Sequence, residues 1–207
     1  MVWVLVVTIL LIILAIWLAI LKKRIFTKVY HYLKIEDYDN FFECVDSRLA
    51  RMMIPIYMRE YYKLNAYIKM DDYQNVTKQF NYLMKLNLNS YQLNSILISG
   101  FNYYCYQNDK KKCRKILDKM KEVFDEQRYF KYQRHFDILI NNDTSYIDEI
   151  KKDLDKHRGK MKGYLEYLLA KSYQSKNNQT KYNEYLNCSM EDYQMHGIQF
   201  EKNIQVM

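Results

Sequence analysis

The stretch "VWVLVVTILLIILAIWLAIL", residues 2–21, carries no charge, and Thr8 is its one polar side chain. A helix of about 20 apolar residues rises about 30 Å, the thickness of a bilayer's hydrocarbon core. A helix of that length buried in a soluble protein ordinarily keeps a polar face, and this one has none. A cleavable signal sequence has a basic leading region, a shorter apolar core and a small-residue cleavage site. Here nothing basic precedes the run, and "LAILKKR" is a poor cleavage site. The expectation is an uncleaved membrane anchor over residues 1–24 that contacts lipid through residues 2–21. Lys22, Lys23, Arg24 and Lys28 follow it directly. Loops rich in Lys and Arg stay on the cytoplasmic side. The expected topology is therefore a single-pass cell-membrane protein with a short N-terminus outside and the rest in the cytoplasm.

The formal charge of +8 falls to +5 once Lys22, Lys23 and Arg24 are set aside as the stop signal. That excess is spread among interspersed acids, so nucleic acid is not an expected partner. Cys44, Cys105, Cys113 and Cys188 form no CxxC or Cys/His cluster of zinc spacing, and reduced thiols are expected in a cytoplasmic domain.

After the anchor there are four glycines and one proline, Pro55, which favours helices joined by short polar breaks. Those breaks are "KIEDYD", "IKMDDYQ", "YQNDKKK", "INNDTSY" and "QSKNNQT", each with Asp or Asn where a helix needs an N-cap. An anchor column precedes them at Tyr32, Tyr67, Tyr104, Ile138 and Tyr173, with intervals of 35, 37, 34 and 35 residues. Three residues earlier stand Val29, Leu64, Phe101, His135 and Ala170. Nine residues later stand Phe41, Val76, Cys113, Ile147 and Tyr182, and four further on Val45, Phe80, Leu117, Lys151 and Leu186. A period near 34 with apolar columns predicts an all-α chain of about five helix–turn–helix units over residues 25–190. Such pairs stack because none buries its own apolar faces alone. The first helix of unit one, near residues 24–33, continues the anchor, and residues 191–207 form a capping helix or a tail.

The pattern resembles the tetratricopeptide repeat. The likeness is fullest in the fifth unit, where Leu169, Ala170 and Tyr173 fall on the family's Leu, Gly/Ala and Tyr positions. The chain departs from it at Leu64 and Phe101, where Gly is typical, at Phe41 and Val76, where Ala is typical, and in lacking the closing proline. The resemblance implies a TPR-like helical-hairpin solenoid that binds a protein or peptide in a groove lined by first helices.

Nothing in the sequence assembles a catalytic site. His31, His135, His157 and His196 have no partner at useful spacing, and His135 falls in the inter-helix column as a packed imidazole. The "GKMKG" at residues 159–163 lacks the strand and GK[ST] ending of a phosphate loop and is expected as a turn. Asp71 and Asp72 sit at a helix start, where carboxylates cap exposed amides. No enzyme, cofactor, metal or small-molecule substrate is expected.

The expected role is a membrane-anchored cytoplasmic scaffold for a protein or peptide partner at the membrane. In a tetratricopeptide-like unit the groove side of the first helix falls nine, six and two residues before the anchor column. Those positions include Met58, Tyr61 and Asn65, then Ser95, Ile98 and Asn102. They continue with Tyr129, Tyr132 and Phe136, then Tyr164, Tyr167 and Lys171. The aromatics supply apolar anchors of the kind that dominate binding hot spots. Asn65 and Asn102 offer hydrogen bonds to a peptide backbone, and Lys171 meets an acidic group. If wider helix spacing turns the tyrosines inward, they are core instead. The alternative role is electrostatic binding of anionic lipid or nucleic acid through the basic clusters Lys110, Lys111, Lys112 and Arg158, Lys160, Lys162.

Overall fold

The computed structural model describes residues 2–195, which form eleven α-helices and no strand. The described residues divide into two compact units, with the division between Gln92 and Leu93. In the first lie α1 (Val2–Lys34), α2 (Tyr38–Asp46), α3 (Arg48–Met53), α4 (Ile56–Lys69) and α5 (Tyr73–Leu83). The second holds α6 (Ser90–Tyr106), which begins just before the division, then α7 (Lys110–Val123) and α8 (Glu126–Leu139). After these come α9 (Ile147–Leu154), α10 (Gly159–Ser175) and α11 (Gln179–Met195). The cap or tail expected at residues 191–207 is thus described only to Met195, within α11, and the rest, with His196, lies outside the described residues.

One unbroken helix joins the apolar run to the first repeat position. Side chains 3–20 of α1 are all exposed, and it is the one described helix long and apolar enough to cross a membrane. The Thr8 hydroxyl donates to the Val4 carbonyl at 2.8 Å, so the run's polar side chain is satisfied within the helix. Burial starts where the charges start. Ile25, Val29 and Leu33, four residues apart, form a stripe that packs with Phe41, Val45, Ala50 and Ile54.

The hairpins share a backbone device. Glu36, Asp71, Asn108, Asn142 and Asn177 all have φ between 53° and 60°, and their intervals are those of the anchor column. A left-handed residue just past a helix lets the next amide reach back and satisfy an orphan carbonyl. Here the amides of Asp37, Asp72, Asp109 and Asn178 donate to the carbonyls of Tyr32, Tyr67, Tyr104 and Tyr173 at 2.9–3.0 Å. The same Asp or Asn then caps the second helix. Its side chain accepts from the amides of Asn40, Asn75, Lys112 and Lys181. Each such cap contributes about 1 kcal/mol.

The fourth hairpin differs. Asp143 accepts from the Ser145 amide two residues on, at 2.8 Å. Such an Asx turn competes with helix formation, and α9 begins late, at Ile147. The first pair is also followed by an addition the repeat spacing does not announce. Ser47 ends α2, and its hydroxyl caps α3 by accepting from the Ala50 amide at 3.1 Å. Pro55 then holds Ile54 extended and closes α3.

The inter-helix column Val29, Leu64, Phe101, His135 and Ala170 is buried throughout. In the second helices Phe41, Val76, Cys113 and Ile147 are buried and Tyr182 is half-buried; four residues further on, Val45, Phe80 and Leu117 are buried and Lys151 and Leu186 half-buried. The "GKMKG" stretch is not simply a turn. Gly159 has φ 58°, as a turn requires, but Gly163 lies inside α10 and is buried against α11. A Cβ there would stand 3.2 Å from Asp192 Cβ and 3.4 Å from the Ser189 carbonyl oxygen. The close approach also lets the Ser189 hydroxyl donate to the Gly163 carbonyl at 2.7 Å.

Candidate functional site

In the second unit the first helices α6, α8 and α10 are joined by rings. Phe101 of α6 meets Tyr132 edge-on, with centroids 5.4 Å apart, and lies 5.7 Å from the His135 ring. His135 in turn stacks on Tyr164 of α10, with centroids 5.8 Å apart and planes 7° from parallel. Beside this aromatic seam, toward the hairpin turns, the helices part around a cavity of about 750 Å³. Pockets of roughly 300–1,000 Å³ are the usual size for a bound group.

The lining repeats with the chain. Each unit contributes the residues one, two and four places after its anchor: Cys105, Tyr106 and Asn108, then Leu139, Ile140 and Asn142, then Gln174, Ser175 and Asn177. Asn102, His135, Ile138, Tyr167 and Lys171 complete the wall. The three asparagines are the left-handed turn residues, so the hairpin device itself brings polar side chains to the rim.

Two donors in this wall differ in burial and in partners. Asn102 is buried, and its Nδ2 has no hydrogen-bond partner. Leaving a buried amide unpaired costs about 1–3 kcal/mol. Lys171 is half-buried. Its Nζ donates to Gln174 Oε1 at 3.1 Å and lies 5.7 Å from the Tyr167 ring centroid, and it has no carboxylate partner among the described residues. Burial alone lowers its pKa. Across the rim, the Ser175 hydroxyl donates to Asn142 Oδ1 at 3.2 Å.

Burial holds the histidine and the cysteine of the wall in their neutral forms. Burial first, and Lys131 second, lower the His135 pKa to about 4, so the ring is neutral at pH 7. Its Nδ1 lies 2.8 Å from the Tyr164 hydroxyl. Burial raises the Cys105 pKa, and its Sγ is 3.5 Å from Cys113 Sγ. A protonated thiol and an imidazole already engaged by Tyr164 are poor starting points for nucleophilic chemistry.

Of the groove positions anticipated from spacing, Asn102, Tyr167 and Lys171 line the cavity. Tyr132, Phe136 and Tyr164 do not face an open groove; they are buried. Tyr132 is wedged against Phe101 and Phe124, Tyr164 is covered by His135, and Phe136 faces the Arg114 guanidinium at 4.5 Å. Phe101 and His135 of the inter-helix column pack against Tyr132 and Tyr164, which closes these positions to a groove. Tyr129 is half-buried outside the cavity, with its hydroxyl donating to Gln133 at 2.9 Å. In the first unit Tyr61 stacks on Tyr57 at 5.6 Å, and Asn65 is half-buried. The rim residues were missed by the spacing argument. Their signal was the repeated asparagine four places after the anchor in three successive units, Asn108, Asn142 and Asn177.

The basic clusters are uneven. Lys110, Lys111, Arg158 and Lys160 are exposed. Lys112 covers the Tyr104 ring at 4.6 Å, so it serves the hairpin. Lys162 is held by Glu166 at 3.2 Å and Asp192 at 3.1 Å, where both acids raise its pKa. It is therefore a partner of two acids rather than a free surface cation.

No protein-family model, curated protein or solved structure matches this chain.

Proposed function

We propose that the chain is a membrane-anchored, non-enzymatic adaptor that holds a segment of a partner protein in the cavity between α6, α8 and α10. It acts as a tetratricopeptide-like scaffold, with the helical units on the cytoplasmic side. The orientation is supported by Lys22, Lys23, Arg24 and Lys28 directly after the apolar run. The observation that carries the binding role is the unpaired Nδ2 of buried Asn102, in the same cavity as Lys171, a lysine with no acid beside it. A peptide supplies a carboxylate for the ammonium and, once the Asn102 side chain turns toward the cavity, a backbone carbonyl for its amide. Ile138, Leu139 and Tyr167 give apolar wall for a neighbouring side chain. Anchoring raises the effective concentration toward partners in the same membrane, so a modest groove suffices.

The test is affinity purification of the full chain from its own membranes, run beside Asn102→Leu and Lys171→Glu. A partner that is retained by the wild-type chain and lost from both variants, with neither melting temperature lowered, supports the proposal. Identical recovery from all three contradicts it.

A further inference from the structure

We propose that α3 is an interfacial helix that docks on anionic phospholipid headgroups beside the point where α1 leaves the membrane. The inference rests on the reading of α1 as a membrane span and is independent of the cavity in the second unit.

Geometry sets the level of α3. The hairpin turn after Lys34 reverses the chain, and α2, with 9 residues, runs back along α1. At about 1.5 Å per residue it returns about 12 Å. That brings Asp46 to the level of Ile25 and sets α3 beside the last apolar residues of the run. The packing agrees, because Leu21 of α1 and Met53 of α3 both cover the same core as Ile25 and Ala50.

The surface presented there fits a headgroup layer. Ala50 is buried, while Arg48, Leu49, Arg51 and Met52 are exposed. Leu49 and Met52 are 48% and 69% exposed, and Ile56, just past Pro55, is 48% exposed. Scattered apolar residues on a surface are ordinary. These three are interleaved with arginines in a segment, residues 47–59, that contains no acid. Neither Arg48 nor Arg51 has an ion-pair partner among the described residues. The neighbouring acids Asp46 and Glu60 are taken by Lys63, at 2.6 Å and 3.4 Å. On α1, Lys22, Lys23, Arg24 and Lys28 are exposed at the same end. Glu43, one turn back on α2, leaves the local excess strongly positive. Apolar side chains between cations, held at the level where a span emerges, are the composition of a helix lying in the interface. Anionic lipid answers the charge, and the acyl boundary takes Leu49, Met52 and Ile56.

The experiment reconstitutes the full chain in vesicles of phosphatidylcholine alone, or of phosphatidylcholine with phosphatidylglycerol. Amide hydrogen exchange is followed over residues 47–56. Each Arg near an anionic leaflet favours docking by a factor of about five. Exchange should slow in the anionic vesicles, and Arg48→Gln with Arg51→Gln should reverse that by roughly thirtyfold. Both side chains are exposed, so protection at Ile25 and Val29 should not change and serves as the folding control. Equal exchange in both lipids, unmoved by the double substitution, overturns the inference. Protection that rises with protein concentration instead of anionic lipid assigns the face to a second copy and also overturns it. Flotation with vesicles in high salt reads the span separately, since salt screens headgroup attraction but does not extract an inserted helix.

Discussion

His135 Nδ1 and the Tyr164 hydroxyl lie 2.8 Å apart between two buried, nearly parallel rings. This contact ties α8 to α10 and explains why a tyrosine expected in the groove belongs to the core. It also makes the second unit sensitive to acid. The imidazole has its pKa lowered from 6.5 to about 4, chiefly by burial. Between those values the unfolded chain binds a proton that the folded chain refuses, so stability falls as pH falls through that window. The loss is about 3 kcal/mol once pH reaches the lower value. His135→Gln keeps a hydrogen-bonding side chain but no proton to take up. Chemical denaturation across pH 6.5 to 4 should show a stability slope for the wild-type chain and a markedly flatter one for His135→Gln.

The left-handed turn residues yield a prediction on the backbone. Asn177 has φ 56° and is followed by the cap residue Asn178. A β-branched side chain in that conformation costs about 1–2 kcal/mol, whereas glycine adopts it freely. Asn177→Val should lower the melting temperature clearly, and Asn177→Gly should leave it nearly unchanged. Equal effects of the two would mean that the asparagine side chain, not its backbone, holds the turn.

Topology is tested with a reporter fused after Met207. The charges after the apolar run predict protection from external protease in intact cells and cleavage once the cells are opened. Cleavage in intact cells would put the helical units on the other side and remove the ground for reduced cysteines.

The hairpins were legible in the sequence because helix geometry forces a regular column. Val29, Leu64, Phe101, His135 and Ala170 share one position and are all buried. The caps were legible too, since Asp37, Asp72, Asp109 and Asn178 announce their chemistry. A column, however, names a stripe of a helix and not the ring that fills the space opposite. Tyr132 and Tyr167 hold the same position in successive units. Tyr132 is closed off by Phe101 and Phe124, while Tyr167 lines the cavity. Helix α3 was hidden because its 6 residues are too short to display a period. The cavity lay closer to the turns than spacing suggested, because left-handed asparagines turn their side chains there.

The central claim is that the cavity between α6, α8 and α10 receives a partner segment, and crosslinking from inside it tests that most directly. A photoreactive phenylalanine derivative replaces Tyr106, which is exposed and lines the cavity, or Phe130, which is exposed on α8 away from it. Irradiation of membranes from the native cell should give a discrete adduct from position 106 and not from position 130. Adding Lys171→Glu should abolish that adduct without lowering the melting temperature. An adduct of equal yield from both positions, or one from position 106 that survives Lys171→Glu undiminished, would contradict the account.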